Sequence, residues 1–316
     1  MRRLTLARLE VPFREPVRIE GFEFGEREGA PTCAIVGQMR GDEAQQAYSC
    51  ACIVERLSRM EGRSQIRKGV RVLVIPCANP FLLNIGSRLW PTDGADVNRR
   101  FPGDAEGDIS GRIAAAIFAA VRGSRFGIQL ASFNQRGDFC PHVRITRAGE
   151  ISDESLTLAR AFGLPFVTAH EPTPFDEGTL NVCWQRQGTH AFSLYGRTTE
   201  RIDRTGAQHL TSAIMRFLGH VGLVGRRSDA SDRSVSIDES GLMDVRANES
   251  AGYLESRVGP GDQVRQGQEL GVVRDAFDTH VRERLVSPRA GRVFFCRTQP
   301  LVWQRLVVYR IAPDWD

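Results

Sequence analysis

Short β-branched apolar runs alternate with stretches of helical periodicity over the first two thirds of the chain, and that alternation limits the fold more than any other feature. Residues 32–37 and 70–76 are apolar runs of the kind buried on both faces of a parallel sheet. Between them, residues 42–59 place Ala47, Cys50, Val54 and Leu57 at helical spacing, with Asp42 and Glu43 near the positive end of the helix dipole. The same succession continues with a helix over 109–121, a strand over 126–131 and a helix over 152–162 that carries Asp153 and Glu154 in its first turn. A strand over 165–169, a strand over 191–194 and an amphipathic helix over 206–218 complete it. Strands and helices in this order predict an α/β sheet with helices on both faces.

Composition changes after Gly222. Residues 225–236 are polar and charged and read as a linker, so the first domain is placed at 1–224 and the second at 225–316. Beyond the linker, short apolar runs are broken repeatedly by glycine and proline, as in Val258-Gly259-Pro260-Gly261-Asp262-Gln263-Val264 and Gln266-Gly267-Gln268-Glu269-Leu270-Gly271. Closely spaced turns between short strands predict a small all-β module. Its Gly-Asp-x-Val-x-x-Gly-x-x-Leu-Gly pattern resembles the barrel-sandwich, lipoyl-like modules. The chain's only lysine is Lys68, far from that pattern, so a carrier role through a modified lysine is excluded.

No run is apolar enough to span a bilayer, and Met1-Arg2-Arg3 leads into mixed residues, so a cytoplasmic location without membrane attachment is expected. Seven scattered cysteines without a Cys-x-x-Cys pair argue for reduced thiols rather than a disulfide framework or a thiolate zinc knuckle. The net charge of +4 over 316 residues is small, and the arginines form no basic stripe with interleaved aromatics, which argues against nucleic acid as a partner.

The chemistry-bearing segment follows the second strand. Arg88 precedes Asp96-Val97-Asn98-Arg99-Arg100-Phe101-Pro102-Gly103, and an arginine fork beside an amide is suited to bidentate, charge-assisted recognition of a carboxylate. Here the chain resembles the succinylglutamate desuccinylase/aspartoacylase family of zinc carboxypeptidase-like hydrolases, whose motif reads Asp-Leu-Asn-Arg-x-Phe-Pro-Gly after an upstream arginine. The resemblance runs from about Ala30 to the end of the chain, and the C-terminal β module agrees with it. It implies a zinc-carboxypeptidase-like mixed sheet flanked by helices with a C-terminal barrel-sandwich-like domain. It also implies that Asn98 and Arg99 take the substrate carboxylate while Arg88 stands by the scissile carbonyl oxygen.

Measured against that family, the sequence departs at three places. The family's His-x-x-Glu pair becomes Arg40-Gly41-Asp42-Glu43, which leaves Glu43 as the one retained ligand, and a guanidinium has no lone pair to give a metal. The later Asp-x-His becomes Gln129-Leu130-Ala131, so Ala131 stands where a second imidazole is expected. The glutamate that serves as general base is replaced, in a gapless alignment through residues 188–195, by Tyr195. A phenol with an unperturbed pKa of about 10 is a poor base near neutrality.

Substitutes are sparse. His142 is within loop distance of Ala131 but reads as an ordinary loop histidine, His190 as a strand cap, and His170 with Glu171 as an exposed turn before Pro172. His209 and His220 lie on a helix, and His280 belongs to the β module. Ser132 and Cys140 show no base partner. No cofactor is therefore expected, and zinc only if the site is unorthodox, built on Glu43 and His142. Arg40 is expected to bridge Glu43, replace the metal's charge and join Arg88, Asn98 and Arg99 in attracting an anion. The sequence thus predicts a family member that holds a small carboxylate-bearing N-acyl amino acid or peptide-like ligand without zinc hydrolysis. A role as partner of an active paralogue, a homo-oligomer, or an active amide hydrolase are the other readings.

Overall fold

The computed structural model of the chain describes residues 1–10, 15–91, 93–148, 152–199, 201–225 and 234–314. Its frame is a nine-stranded mixed sheet, and the segments that build it are those with uninterrupted apolar runs. The strands are β1 (Arg2–Leu9), β2 (Val17–Gly25), β3 (Cys33–Gln38), β4 (Arg71–Cys77) and β5 (Phe126–Ala131). After the two-residue β6 (Asp138–Phe139) come β7 (His142–Thr146), β8 (Phe166–His170), β9 (His190–Tyr195) and β10 (Val235–Asp238). The order across the sheet is β1-β2-β4-β3-β5-β9-β7-β8-β10. Strands β4, β3, β5 and β9 run parallel in its centre, while β7 runs antiparallel to β9. The hairpin β1–β2, which precedes the alternating strand and helix segments, closes one edge by antiparallel pairing to β4.

Helices cover both faces, as the alternating pattern requires. On one side α1 (Ala44–Glu61), α4 (Ser152–Ala159) and α6 (Arg204–His220) bury Ile53, Leu57, Ala159, Ile214 and Phe217 against Ile35, Ile128 and Phe192 of the sheet. On the other side α2 (Pro80–Ile85), α3 (Ile109–Val121) and α5 (Leu180–Arg186) bury Leu82, Ile117 and Trp184 against Val36 and Ile75. Each fully buried side chain of this size contributes about 1.5–3 kcal/mol, so the two apolar layers hold the frame.

The C-terminal module is all-β. One sheet orders β11 (Met243–Ala247), β18 (Leu306–Pro313), β16 (Gly291–Cys296) and β13 (Gln263–Val264). The other orders β15 (Val281–Val286), β14 (Glu269–Arg274), β12 (Gly252–Ser256) and β17 (Leu301–Val302). Val293, Val308, Ile311, Leu270 and Val273 fill the space between them.

The expected linker needs a correction. Residues 226–233 lie outside the described residues, but Val235–Asp238 is not linker: it pairs in parallel with β8 and extends the large sheet. The exchange is mutual, because β6 pairs with β16 of the C-terminal module. Val235 and Ile237 supply the alternating apolar face that such an edge strand needs, inside a stretch whose overall polarity hides it. No helix among the described residues is long and apolar enough to cross a membrane, and all seven cysteines are free.

Candidate functional site

Parallel strands place their carboxyl ends together, and in open α/β sheets that edge is where ligands bind. Here β3 delivers Met39 and Arg40, β5 ends at Ala131 followed by Ser132, and β9 ends at Tyr195, which is the register partner of Ala131. A cavity of about 590 Å³ opens at this edge. Its wall includes Arg40, Arg88, Asn98, Arg99, Ala131 and Tyr195, so the structure brings together the residues singled out in the sequence. Glu43 lies just beneath them, buried.

The floor is a closed network of charges. Arg40 places Nη1 3.0 Å from Glu43 Oε1, and Nη2 and Nε at 2.9 and 3.1 Å from the Asp96 carboxylate. Glu43 also accepts the backbone N–H groups of Met39 and Arg40 at 2.9 and 3.1 Å and the Ser132 hydroxyl at 2.5 Å. Burial works against the charged form of Arg40, but Glu43 and Asp96 outweigh it and hold its pKa above the ordinary arginine value. Burial would likewise raise Asp96, yet the Arg40 guanidinium keeps its carboxyl below the usual range. Every nitrogen of Arg40 is therefore committed to protein carboxylates. Its charge is balanced inside the protein by two carboxylates, while its side chain still forms part of the cavity wall.

Local backbone packing fixes this geometry. Gly41 donates its N–H to Ser87 O at 2.8 Å, and a Cβ on it would stand 1.9 Å from Leu82 O, so only glycine lets the loop after β3 approach α2 this closely. Asp42, next along, pairs with Arg88 at 3.0 Å, and the same Arg88 nitrogen reaches Ser132 Oγ at 3.2 Å. Ser132, without a base partner in the sequence, thus stands between a carboxylate and a guanidinium.

The clamp beside the floor is open. The Asp96 carboxylate caps the turn by accepting Asn98 N–H at 2.9 Å. Asn98 Oδ1 accepts the Leu180 amide at 3.3 Å, which leaves its Nδ2 donor for an occupant of the cavity. Arg99 donates to Asn98 O at 3.0 Å, and the residue is exposed, with no ion pair within 4 Å among the described residues. Burial and the nearby Arg40 lower its pKa, with Asp96 and Asp176 acting the other way. Gly178 packs on this turn so closely that a Cβ would lie 2.2 Å from Arg99 O.

Tyr195 is buried, its ring 4.1 Å from that of Phe133 and 4.7 Å from that of His142. Burial raises its pKa while the neighbouring Arg144 opposes the rise, so the phenol stays protonated at neutral pH. His142 is not a loop histidine. It opens β7, is fully buried, hydrogen-bonds Cys140 O through Nδ1 at 2.8 Å and has its pKa pushed down to about 4 by burial. His170 also departs from expectation: it ends β8 and forms part of the cavity wall rather than an exposed turn. His190 begins β9 at the opposite end from Tyr195, bonded to Ser155 Oγ at 3.1 Å.

Arg144, Glu239 and Asn181 are among the wall residues that the sequence did not single out. Arg144, inside the apolar strand β7, ion-pairs with Glu239 and stacks over Phe133 at 5.7 Å. Glu239 comes from the C-terminal side of the chain, so that side helps to shape the cavity. Asn181, in α5, is the third. An arginine embedded in His142-Val143-Arg144-Ile145-Thr146 was a readable signal, because charges in buried strands need a partner. Nothing local marked Asn181.

Residues 29–220 match the family of the succinylglutamate desuccinylase/aspartoacylase catalytic domain. The chain belongs to that family. It is 28% identical over 251 residues to the N-alpha-acetyl-L-2,4-diaminobutyric acid deacetylase of Halomonas elongata, covering 78% of this chain and 71% of the relative. In fold it is similar to the succinylglutamate desuccinylase/aspartoacylase of Rhodobacter sphaeroides, with a TM-score of 0.79, 22% identity and coverage of 99% and 96% of the two chains. An aspartoacylase family protein of Mesorhizobium loti gives a TM-score of 0.77 at 23% identity, covering 96% and 91%. The family is one of deacylases, and it is typically zinc-dependent.

A catalytic zinc ion needs about three protein ligands with free lone pairs. Around Arg40 the residues present do not fit that requirement: Ala131 offers no ligand atom, and both Glu43 oxygens are occupied by N–H and O–H donors. Among the described residues, Asp275, Asp278 and His280 of the β module are the one group of three or more potential ligands close enough to share an ion. Their atoms are engaged in the turn itself, where Asp275 accepts Phe277 N–H and Asp278 accepts His280 N–H.

Proposed function

We propose that this chain is a deacylase-family member that binds a carboxylate-bearing N-acyl amino acid or peptide-like compound without zinc-dependent hydrolysis. One observation carries the reading: the guanidinium of Arg40, at the position of a metal-binding histidine, is buried between Glu43 and Asp96 and consumes the retained ligand. Alongside this neutralised floor, Arg99 and the Asn98 amide stand ready for a carboxylate, and two good charge-assisted hydrogen bonds give such a ligand useful affinity. Two measurements test the reading. Elemental analysis of protein purified without chelator is expected to show no stoichiometric zinc. A thermal-shift panel of N-acetyl aspartate, glutamate and ornithine is expected to raise the melting temperature with at least one compound. Stoichiometric zinc together with chelator-sensitive hydrolysis would overturn it.

A second reading keeps amide hydrolysis without a metal. The Ser132 hydroxyl, 2.5 Å from Glu43 and 3.2 Å from an Arg88 nitrogen, is the observation that favours it. Hydrolysis of N-acetyl amino acids that survives chelator and disappears in Ser132→Ala would decide for this second reading.

A further inference from the structure

Among the described residues, the wall of the cavity holds two buried polar atoms without a hydrogen-bond partner, His170 Nδ1 and Asn181 Oδ1, and only the amide oxygen is an acceptor whatever the protonation of its group. Asn181 is 5% exposed and lines the cavity from the first turn of α5. Its Nδ2 donates to Gln129 Oε1 at 2.9 Å and to Ser193 Oγ at 2.6 Å. Gln129 is itself oriented by donating Nε2 towards Met39 Sδ at 3.6 Å, so turning the Asn181 amide over would set two acceptor oxygens face to face. Oδ1 is consequently fixed, buried and without a partner. Buried acceptors are nearly always satisfied, and one left open in the wall of a cavity calls for a donor from the occupant.

The position narrows that donor. Asn98 Oδ1, in the carboxylate clamp, is bonded to the amide of Leu180, the residue that immediately precedes Asn181. An N-acyl amino acid carries its carboxylate and its amide N–H on the same carbon. We infer that Asn181 is a specificity-determining residue whose Oδ1 accepts the amide N–H of an N-acyl amino acid seated on Arg99 and Asn98, so that the cavity selects amides over esters. This rests on the carboxylate-binding reading above.

Matched ligand pairs separate the two claims. Isothermal titration would compare N-acetyl-L-aspartate with (S)-2-acetoxysuccinate, and N-acetyl-L-glutamate with (S)-2-acetoxyglutarate. Each ester keeps the carboxylates and replaces N–H by an oxygen that repels Oδ1. The amide of at least one pair is expected to bind about tenfold or more tightly than its ester. Asn181→Leu should bring the amide down to the level of the ester, whereas Asn181→Asp, which retains an acceptor, should keep the preference. Equal binding of amide and ester by the unaltered protein overturns the inference and leaves the carboxylate clamp standing. Absence of binding by all four compounds overturns the clamp and the inference together. Because the wild-type comparison needs no substitution, a Leu variant that fails to fold does not block the test.

Discussion

The floor and the wall of the cavity use the same kinds of residue to opposite ends. On the floor, Arg40, Glu43, Asp96 and Ser132 bond to one another within 3.1 Å, so their charges are balanced within the protein. On the wall, Arg99 has no ion pair among the described residues and Asn181 Oδ1 has no partner. A metal site needs open lone pairs on its floor, whereas this cavity has unmet hydrogen-bonding groups on its wall. The difference teaches that chemistry and recognition are separable within one cavity, and substitutions on the two sides should fail in different ways.

The largest expected effect is on the floor. Arg40→Met leaves the buried Glu43 and the half-buried Asp96 carboxylates uncompensated and is expected to cost about 3–5 kcal/mol in chemical denaturation at pH 7. The sign of the pH dependence follows from Asp96, whose pKa is depressed in the folded protein. Its stabilising contribution is present above the unfolded value of about 3.9 and is lost as pH falls through the folded value. The variant has no such contribution to lose, so the gap between wild type and Arg40→Met should narrow below about pH 4. A gap that stays constant to acid pH would show that Arg40 acts through packing alone.

Behind the wall, His142 offers a test of similar kind and smaller size. Its folded pKa of about 4 lies below the unfolded value near 6.5, so protonation favours unfolding. The cost is absent above pH 6.5 and grows as pH falls towards 4, reaching roughly 3 kcal/mol for this one group. Replacement by phenylalanine, which preserves the ring packing against Tyr195 and Phe294, should flatten that part of the stability profile. An unchanged slope between pH 6.5 and 4 would place the acid sensitivity elsewhere, at His170 or His190, whose pKa values burial also lowers.

Arg99 tests the wall directly. Because it is exposed and unpaired, Arg99→Ala should leave stability within about 0.5 kcal/mol of wild type. Affinity for the best N-acetyl compound should fall roughly tenfold to a hundredfold, the worth of one charge-assisted contact. Loss of stability with unchanged affinity would mean that the clamp is structural.

The large sheet was legible because its central strands are continuous apolar runs and its helices carry clean periodicity, as in residues 126–131 and 109–121. The hairpin β1–β2 was not, since its alternation is diluted by arginine and glutamate that pair across the strands, Arg2 with Glu23 among them. At the site, the family motif exposed Arg88, Asn98, Arg99 and the three departures. Asp96 as the second partner of Arg40 is separated from it by 56 positions, and Arg144–Glu239 by 95, so no local pattern could join them. The placement of His142 and His170 depended on strand boundaries that a run of mixed polarity does not define.

Tyr195 sharpens the comparison with the smallest perturbation, because it stands where floor and wall meet. If its hydroxyl only packs beside Arg144, Tyr195→Phe removes one contact while the ring stays against Phe133 and His142, and Arg144 stays anchored by Glu239. The expected cost is about 1 kcal/mol or less in stability, with ligand affinity unchanged within about twofold. A buried phenol whose pKa is raised cannot serve as a base at neutral pH, so any hydrolysis the protein shows should survive this substitution. Complete loss of hydrolysis in a stably folded Tyr195→Phe would assign the hydroxyl a proton-donating role, and the separation of an inert floor from a recognising wall would then fail at the residue that joins them.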